Sequence, residues 1–273
     1  MSYRLDPLSA RLLHAHTPPG SLVLMYHSVV PGSGTAAWRY AVSMQHFCTQ
    51  LDILQNEGWH THTLAELAAQ ALPARSVVIT FDDGYQDNYA AFEELAQRGM
   101  RASWFVVSRD IGAHSAWHDP GKAQVPMLDA AQLRTMHAAG MEIGAHSHSH
   151  RRLTECDDAT LAAELSQSKT ILENILSAPV TSLAYPYGVY DARVVAAARD
   201  AGYRAACITR TGWAQHVDDP LQIRRLSIYA DDTPGRFARK LVFADNAVDW
   251  RAMLHYARRQ LMARLRKPAR SPS

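Results

Sequence analysis

"SVVITFDDGYQDNY", residues 76–89, runs an apolar segment, Val77, Val78 and Ile79, straight into two adjacent carboxylates, Asp82 and Asp83, and then Gly84. A short run of β-branched residues closed by a turn signal reads as a buried strand, here 76–81. Two acids side by side at the mouth of such a strand lose hydration and repel one another. Something nearby must compensate them.

Outward from this strand the chain alternates. Upstream, "SLVLMYHSVV" (21–30) reads as a strand. "SMQHFCTQLDILQNEG" reads as a helix capped by Ser43, with Phe47, Leu51 and Leu54 on one face and Gly58 as its stop. Downstream come a helix over 87–98, a strand over 102–107, a helix from the Asp129 cap to Gly140 and a strand over 141–145. A helix over 158–176, a strand over 181–184, a helix over 191–200, strands over 204–209 and 223–228 and a long C-terminal helix follow. This alternation implies βαβ units and a parallel sheet. The expected fold is α/β, a distorted (β/α) barrel of about seven parallel strands in a single domain over 21–235. Residues 1–20 form an N-terminal extension, and 236–273 a C-terminal helix with a basic tail. In such barrels chemistry collects at the C-terminal ends of strands. Asp82 and Asp83 follow one strand, His146 another and "YPYG" (185–188) a third.

With 47% hydrophobic and 20% charged residues the 273-residue chain has the composition of a soluble globular protein. A net charge of +2, with no basic stripe interleaved with stacking aromatics, argues against a nucleic-acid partner. The three cysteines, Cys48, Cys156 and Cys207, are scattered and suit neither a disulfide framework nor a thiolate zinc site. The first twenty residues lack a signal-peptide pattern, and no stretch approaches the roughly 20 apolar residues of a membrane span. The expected location is cytoplasmic, with no transmembrane segment; the basic end "RRQLMARLRKPARSPS" leaves peripheral membrane contact open.

"GAHSHSH" (144–150) offers the compensating groups, His146, His148 and His150. Two zinc-bound nitrogens must lie within a few Å of each other, since each bond is about 2.1 Å. In an extended strand positions four apart are separated by roughly 13 Å and positions two apart by roughly 6.6 Å. If the chain turns helically after the strand, His146 and His150 share a face and His148 points away. The Ser/His composition favours a turn and hence His146 with His150, although spacing does not exclude His148. An aspartate completes a His, His, Asp set with open positions, the arrangement of a catalytic metal site, and the neighbouring aspartate can serve as general base. An Asp-Asp pair alone is usually a turn or cap, and a histidine cluster alone is ordinary surface. Their joint placement at strand ends of one barrel gives them weight.

"TFDDGYQDNY" together with "HSHSH" resembles the polysaccharide deacetylase family, the NodB-homology fold of carbohydrate esterase family 4, over roughly residues 20–230. The resemblance implies Asp82 as general base and Asp83, His146 and His150 as metal ligands. It also implies a divalent cation, zinc by default with nickel, cobalt or iron as alternatives. Two motifs depart from the commonest pattern. Ala184 in "LAYPYG" stands where many members have an arginine, and "RRLSIY" after the last strand holds no histidine. Both departures resemble the circularly permuted, biofilm-polysaccharide branch, in which the first strand supplies the acid. That makes His27 of "LMYHSV" the candidate general acid, with His255 as competitor.

The implied activity is a hydrolase of linear amide C–N bonds, a metal-dependent carbohydrate N-deacetylase acting on an N-acetylated sugar or polysaccharide. A backbone N–H near Tyr187 is expected at the oxyanion. Tyr85, Trp117, Tyr185, Tyr187 and Trp213 are expected to wall the cleft, and Arg225, or alternatively Arg224, to orient Asp82. The alternatives are a metal-dependent amidohydrolase for a non-sugar amide and a carbohydrate-binding relative without turnover. The latter is disfavoured because every proposed residue is present.

Overall fold

The computed structural model describes residues 3–33, 36, 38–117, 124–215 and 219–250. The N-terminal part comprises α1 (Pro7–Ala15), β1 (Leu22–Tyr26), β2 (Ser28–Val30), β3 (Ala41–Ser43), α2 (Met44–Asn56), β4 (His60–His62) and α3 (Leu64–Ala69). Next come β5 (Ser76–Phe81), α4 (Asn88–Gln97), β6 (Ser103–Val106), α5 (Ala130–Ala138), β7 (Glu142–Ala145) and α6 (Asp158–Leu176). The chain continues with β8 (Ser182–Ala184), α7 (Ala192–Asp200), β9 (Ala205–Cys207), β10 (Leu226–Ser227) and α8 (Pro234–Phe243).

Seven strands lie in the order β10-β1-β5-β6-β7-β8-β9, every neighbouring pair parallel, with β4 added beside the first half of β5. Cys207 and Ile223 form a further parallel bridge, so the segment before β10 reaches back to β9 and the sheet curls toward closure. Strand alternation sorts the core. Val77, Ile79 and Phe81 join the large cluster between sheet and helices, whereas Val78, Phe105, Ala184 and Cys207 belong to a smaller cluster inside the curl. The expected seven-stranded α/β barrel is the observed fold, and its helices start where capping residues predict. Ser43 accepts from the His46 N–H, and Asp129 and Gln132 form a capping box.

Four boundaries differ from expectation. The strand over 21–30 breaks at His27: Asn88 Nδ2 donates to the His27 carbonyl at 2.8 Å, and β2 leaves the main sheet to pair with β3. The strand over 204–209 contracts to Ala205–Cys207, and that over 223–228 to Leu226–Ser227, because Ile223 and Arg225 instead bond across to Ala206 and Arg210. Helix α8 ends at Ala244, which adopts a left-handed conformation (φ 49°), and helical structure resumes only at Trp250, so the expected C-terminal helix is interrupted within the described residues. His255 and the basic tail lie outside the described residues. Helices α1 and α3 and strands β3 and β4 were not anticipated; α1 is held to α8 by Arg239, which donates to Asp6 and Ser9. No described helix is long and apolar enough to cross a membrane.

Candidate metal and catalytic site

The site is built where β1, β5, β7 and β8 end. Asp82 and Asp83 leave β5 together, and the chain turns at once because Asp83 (φ 74°) and Gly84 (φ 86°) are both left-handed. A Cβ at Gly84 would meet Val106 at 2.9 Å, so only glycine fits this close approach. After β7 the segment 146–150 also turns, through left-handed Ser147 and His150 and not through a helical turn (φ 60° at each). The turn is pinned by the His150 N–H donating to Ser147 Oγ (3.0 Å) and the Ser149 N–H donating to Glu164 (2.8 Å).

That turn brings His146 and His150 together, with ring centroids 5.0 Å apart. Their Nε2 atoms lie 3.4 and 3.3 Å from one oxygen of Asp83, and all three side chains are buried. His148 is excluded from the cluster: its Nδ1 lies 3.0 Å from Ser108 Oγ. One ligand atom from each of Asp83, His146 and His150 falls within 4.8 Å of the others, a spacing that one cation can bridge. The donor set fits such an ion chemically. His146 Nδ1 lies 2.7 Å from the Ala184 carbonyl, which fixes a proton there and turns Nε2 toward Asp83. Burial alone would raise the Asp83 pKa, but hydrogen bonds from the two histidines outweigh it and hold the carboxyl well below the usual range.

Asp82 is oriented differently. Arg225, 1% exposed, reaches through the curl of the sheet and donates from both terminal nitrogens to the two Asp82 oxygens, at 2.6 and 2.8 Å. It also donates to Thr80 Oγ1 and the Ile208 carbonyl, both at 3.2 Å. Of the two candidate arginines, Arg225 therefore faces inward, and Arg224 donates to the Thr211 carbonyl instead. Burial pushes the Asp82 carboxyl up, but Arg225, His146 and His27 together bring it below its ordinary value, so it stays ionised. His27 opens into the same cleft with its Nδ1 buried and unpartnered. Burial lowers its pKa, opposed by Asp83 and Asp82.

These groups line one cleft of about 610 Å³ together with Trp38, Arg39, Tyr40, Arg152, Tyr187, Gly188 and Thr209. Tyr187 projects from the turn after β8, 41% exposed, its ring 4.6 Å from that of His150. The Trp117 ring also packs against His150, tilted with centroids 4.5 Å apart, and Tyr85 packs against both Trp117 and Trp38. Two expected wall residues are elsewhere. Tyr185 is fully buried, stacked on Tyr190 and donating to the Leu221 carbonyl. Trp213 stacks on His16 beside the Ser21–Ala214 bridge, which precedes β1 and so lies at the opposite end of the strands. The wall that was missed, Trp38, Arg39 and Tyr40, comes from the β2–β3 connection. Its signal was the aromatic-basic-aromatic "WRY" shortly after a strand end.

The sequence profile of polysaccharide deacetylases matches residues 69–206, just over half of the chain. The chain is 28% identical over 212 residues to YxkH of Bacillus subtilis (strain 168), which carries a polysaccharide deacetylase designation, covering 76% of this chain and 70% of that one. It is 25% identical over 166 residues to the poly-beta-1,6-N-acetyl-D-glucosamine N-deacetylase of Staphylococcus aureus, covering 56% of this chain and 55% of that enzyme. Among solved structures, IcaB from Ammonifex degensii superimposes with a TM-score of 0.65 at 26% identity, over 80% of this chain and 95% of that one. Streptococcus pyogenes deacetylase PplD, solved with acetate, shares the fold with a TM-score of 0.71 at 23% identity, over 84% of this chain and 100% of that one.

Proposed function

This chain belongs to the polysaccharide deacetylase family, and from that premise we propose that it is a metal-dependent hydrolase that removes N-acetyl groups from an N-acetylated polysaccharide. The observation that carries the reading is the convergence of Asp83, His146 and His150 within 4.8 Å beside an Arg225-clamped Asp82 in one cleft. Asp83, His146 and His150 would hold the cation, zinc by default, with nickel, cobalt or iron suited to the same donors. When bound, a divalent ion supplies Lewis-acid polarisation of the amide carbonyl and acidifies water.

The chain's own residues supply the proton traffic. Asp82, ionised and fixed by two hydrogen bonds from Arg225, accepts a proton from the attacking water. His27, on the same cleft, returns a proton to the departing amine. Burial makes its imidazolium a stronger acid than a solvated one, which favours that donation. The Tyr187 backbone N–H, in the turn beside His150, is the group assigned to the developing oxyanion. A second cavity of about 430 Å³ shares His150, Arg152 and Tyr187 with the cleft, so the site continues past the catalytic groups, as binding of a polymer requires. The staphylococcal relative makes poly-β-1,6-N-acetylglucosamine the first polymer to assay.

The test is acetate release from that polymer and from chito-oligosaccharides by native, metal-stripped and zinc-reconstituted protein. Release that disappears on stripping and returns on reconstitution is the expected result. Equal release by stripped protein overturns the metal assignment.

A further inference from the structure

The cleft's charges are unbalanced. On the wall beside His27, whose ring lies 4.6 Å from that of Tyr40, Arg39 is exposed with Cζ 4.0 Å over the Tyr229 ring and 5.4 Å from the Tyr40 centroid. No carboxylate among the described residues forms an ion pair with it. On the wall beside His150, Arg152 lies with Cζ 4.4 Å over Tyr187. Its ion pair, with Glu155 at 3.9 Å, joins two exposed side chains and contributes little. Against these two guanidinia, Asp82 and Asp83 are the carboxylates that line the main cleft among the described residues, while beyond Arg152 the second cavity is balanced, with Arg151 and Arg152 beside Glu155 and Asp157. Asp82 is neutralised by Arg225, and Asp83 is committed to His146 and His150.

We propose, on the reading that this chain is a polysaccharide deacetylase, that its substrate is an anionic glycan. The sugar units flanking the N-acetyl unit in the cleft carry carboxylate or phosphate groups, and Arg39 and Arg152 are the residues that select them. A guanidinium resting on an aromatic face is pre-oriented, so less side-chain entropy is lost when it grips an anion. Its N–H edge remains available for paired hydrogen bonds to carboxylate or phosphate oxygens. A neutral chain leaves both cations unused, and a partly deacetylated chain brings ammonium groups against them.

The test compares oligomers of matched length: N-acetylglucosamine alternating with N-acetylmuramic acid (carboxylate), a 6-O-phosphorylated chito-oligosaccharide (phosphate), the neutral chito-oligosaccharide and its half-deacetylated form. KM and kcat come from acetate release at low and high salt, and binding from calorimetry with each oligomer. At least one anionic oligomer should have a KM about tenfold or more below the neutral one, with the half-deacetylated form worst. High salt should compress that gap, because the contacts are exposed. Arg39→Gln and Arg152→Gln should each raise KM several-fold more for the anionic oligomer than for the neutral one, with kcat moving less. The carboxylate and phosphate arms identify which anion is preferred. Acetate release from the neutral oligomer with a KM equal to or below both anionic ones, or a preference indifferent to salt and to both variants, overturns this inference and leaves the deacetylase reading intact. Anion-selective binding without acetate release from any oligomer overturns the deacetylase reading, and this inference with it.

Discussion

Replacing Arg225 by Met should be one of the most damaging single substitutions in the protein, and the damage should be traceable to one carboxylate. The guanidinium is fully buried and makes two charge-assisted hydrogen bonds to Asp82, at 2.6 and 2.8 Å, with weaker ones to Thr80 and Ile208. Methionine keeps much of the volume but leaves the Asp82 carboxylate, itself 3% exposed, without its main partner. Breaking a buried pair from one side costs about 3–5 kcal/mol. At roughly 2–4 °C per kcal/mol for a chain of this size, Tm should fall by about 6–20 °C. The sign with pH follows from the direction of the Asp82 shift. In the wild type its folded pKa lies below the unfolded value, so its contribution to stability is present above the unfolded pKa and is lost as pH falls through the folded one. Without Arg225, burial dominates and the folded pKa moves above the unfolded value, so the penalty is greatest near neutral pH and shrinks on acidification. Asp82→Asn in the Arg225→Met background removes the stranded charge and should recover much of the loss. The assay is thermal and urea unfolding of the wild type, Arg225→Met and the double variant in EDTA, at neutral and acidic pH. An Arg225→Met Tm within about 2 °C of wild type, or a double variant no more stable than Arg225→Met alone, would refute the reasoning.

His150→Ala should lose stoichiometric metal, and His148→Ala should keep it, since His148 faces Ser108 and not Asp83; metal content after dialysis, read by elemental analysis, decides between them. Asp82→Asn should retain the metal while kcat falls by about 10²–10⁴-fold, because the ligand set is untouched and only proton abstraction fails. His27→Ala should lose activity on a similar scale, and its pH–rate profile should lack the alkaline limb that reports deprotonation of the acid; a wild-type rate with an unchanged profile would instead move attention to His255.

What the sequence made legible was local chemistry on a regular frame. Asp82, Asp83, His146 and His150 follow strands whose apolar runs are unambiguous, and the four-residue spacing of the histidines needed only a turn to become a ligand pair. Arg225 could be narrowed to one of two neighbours by strand alternation. Pairing between distant segments was not legible. Nothing local to "LVLMYHSVV" shows that Asn88, 61 positions on from His27, diverts the strand after Tyr26 and so exposes the imidazole to the cleft. Tyr185 and Trp213 failed as wall residues for the same reason. Their aromatic character was evident, but which end or face of the sheet each occupies depends on contacts with Leu221 and His16.

The backbone at the site supports the side-chain argument independently. Asp83, Ser147, His150 and Tyr187 all hold left-handed conformations, with φ between 60° and 74°, although none is glycine. Such residues carry a steric cost of order 1–3 kcal/mol each, which glycine would relieve. Glycine is used where no side chain is needed and none would fit: a Cβ at Gly84 would meet Val106 at 2.9 Å, and one at Gly188 would meet Thr209 at 2.2 Å. Three of the four strained positions are where the proposed chemistry requires a group that glycine lacks, the Asp83 carboxylate, the His150 imidazole and the Ser147 hydroxyl that pins His150. Tyr187 spends the same strain to set an aromatic ring against His150 and beneath Arg152. Four of the seven left-handed non-glycine residues among the described residues thus build the ligand pair or the platform for the cation proposed to select the substrate; the other three, Arg75, Ser177 and Ala244 (φ 57°, 52° and 49°), lie outside the site.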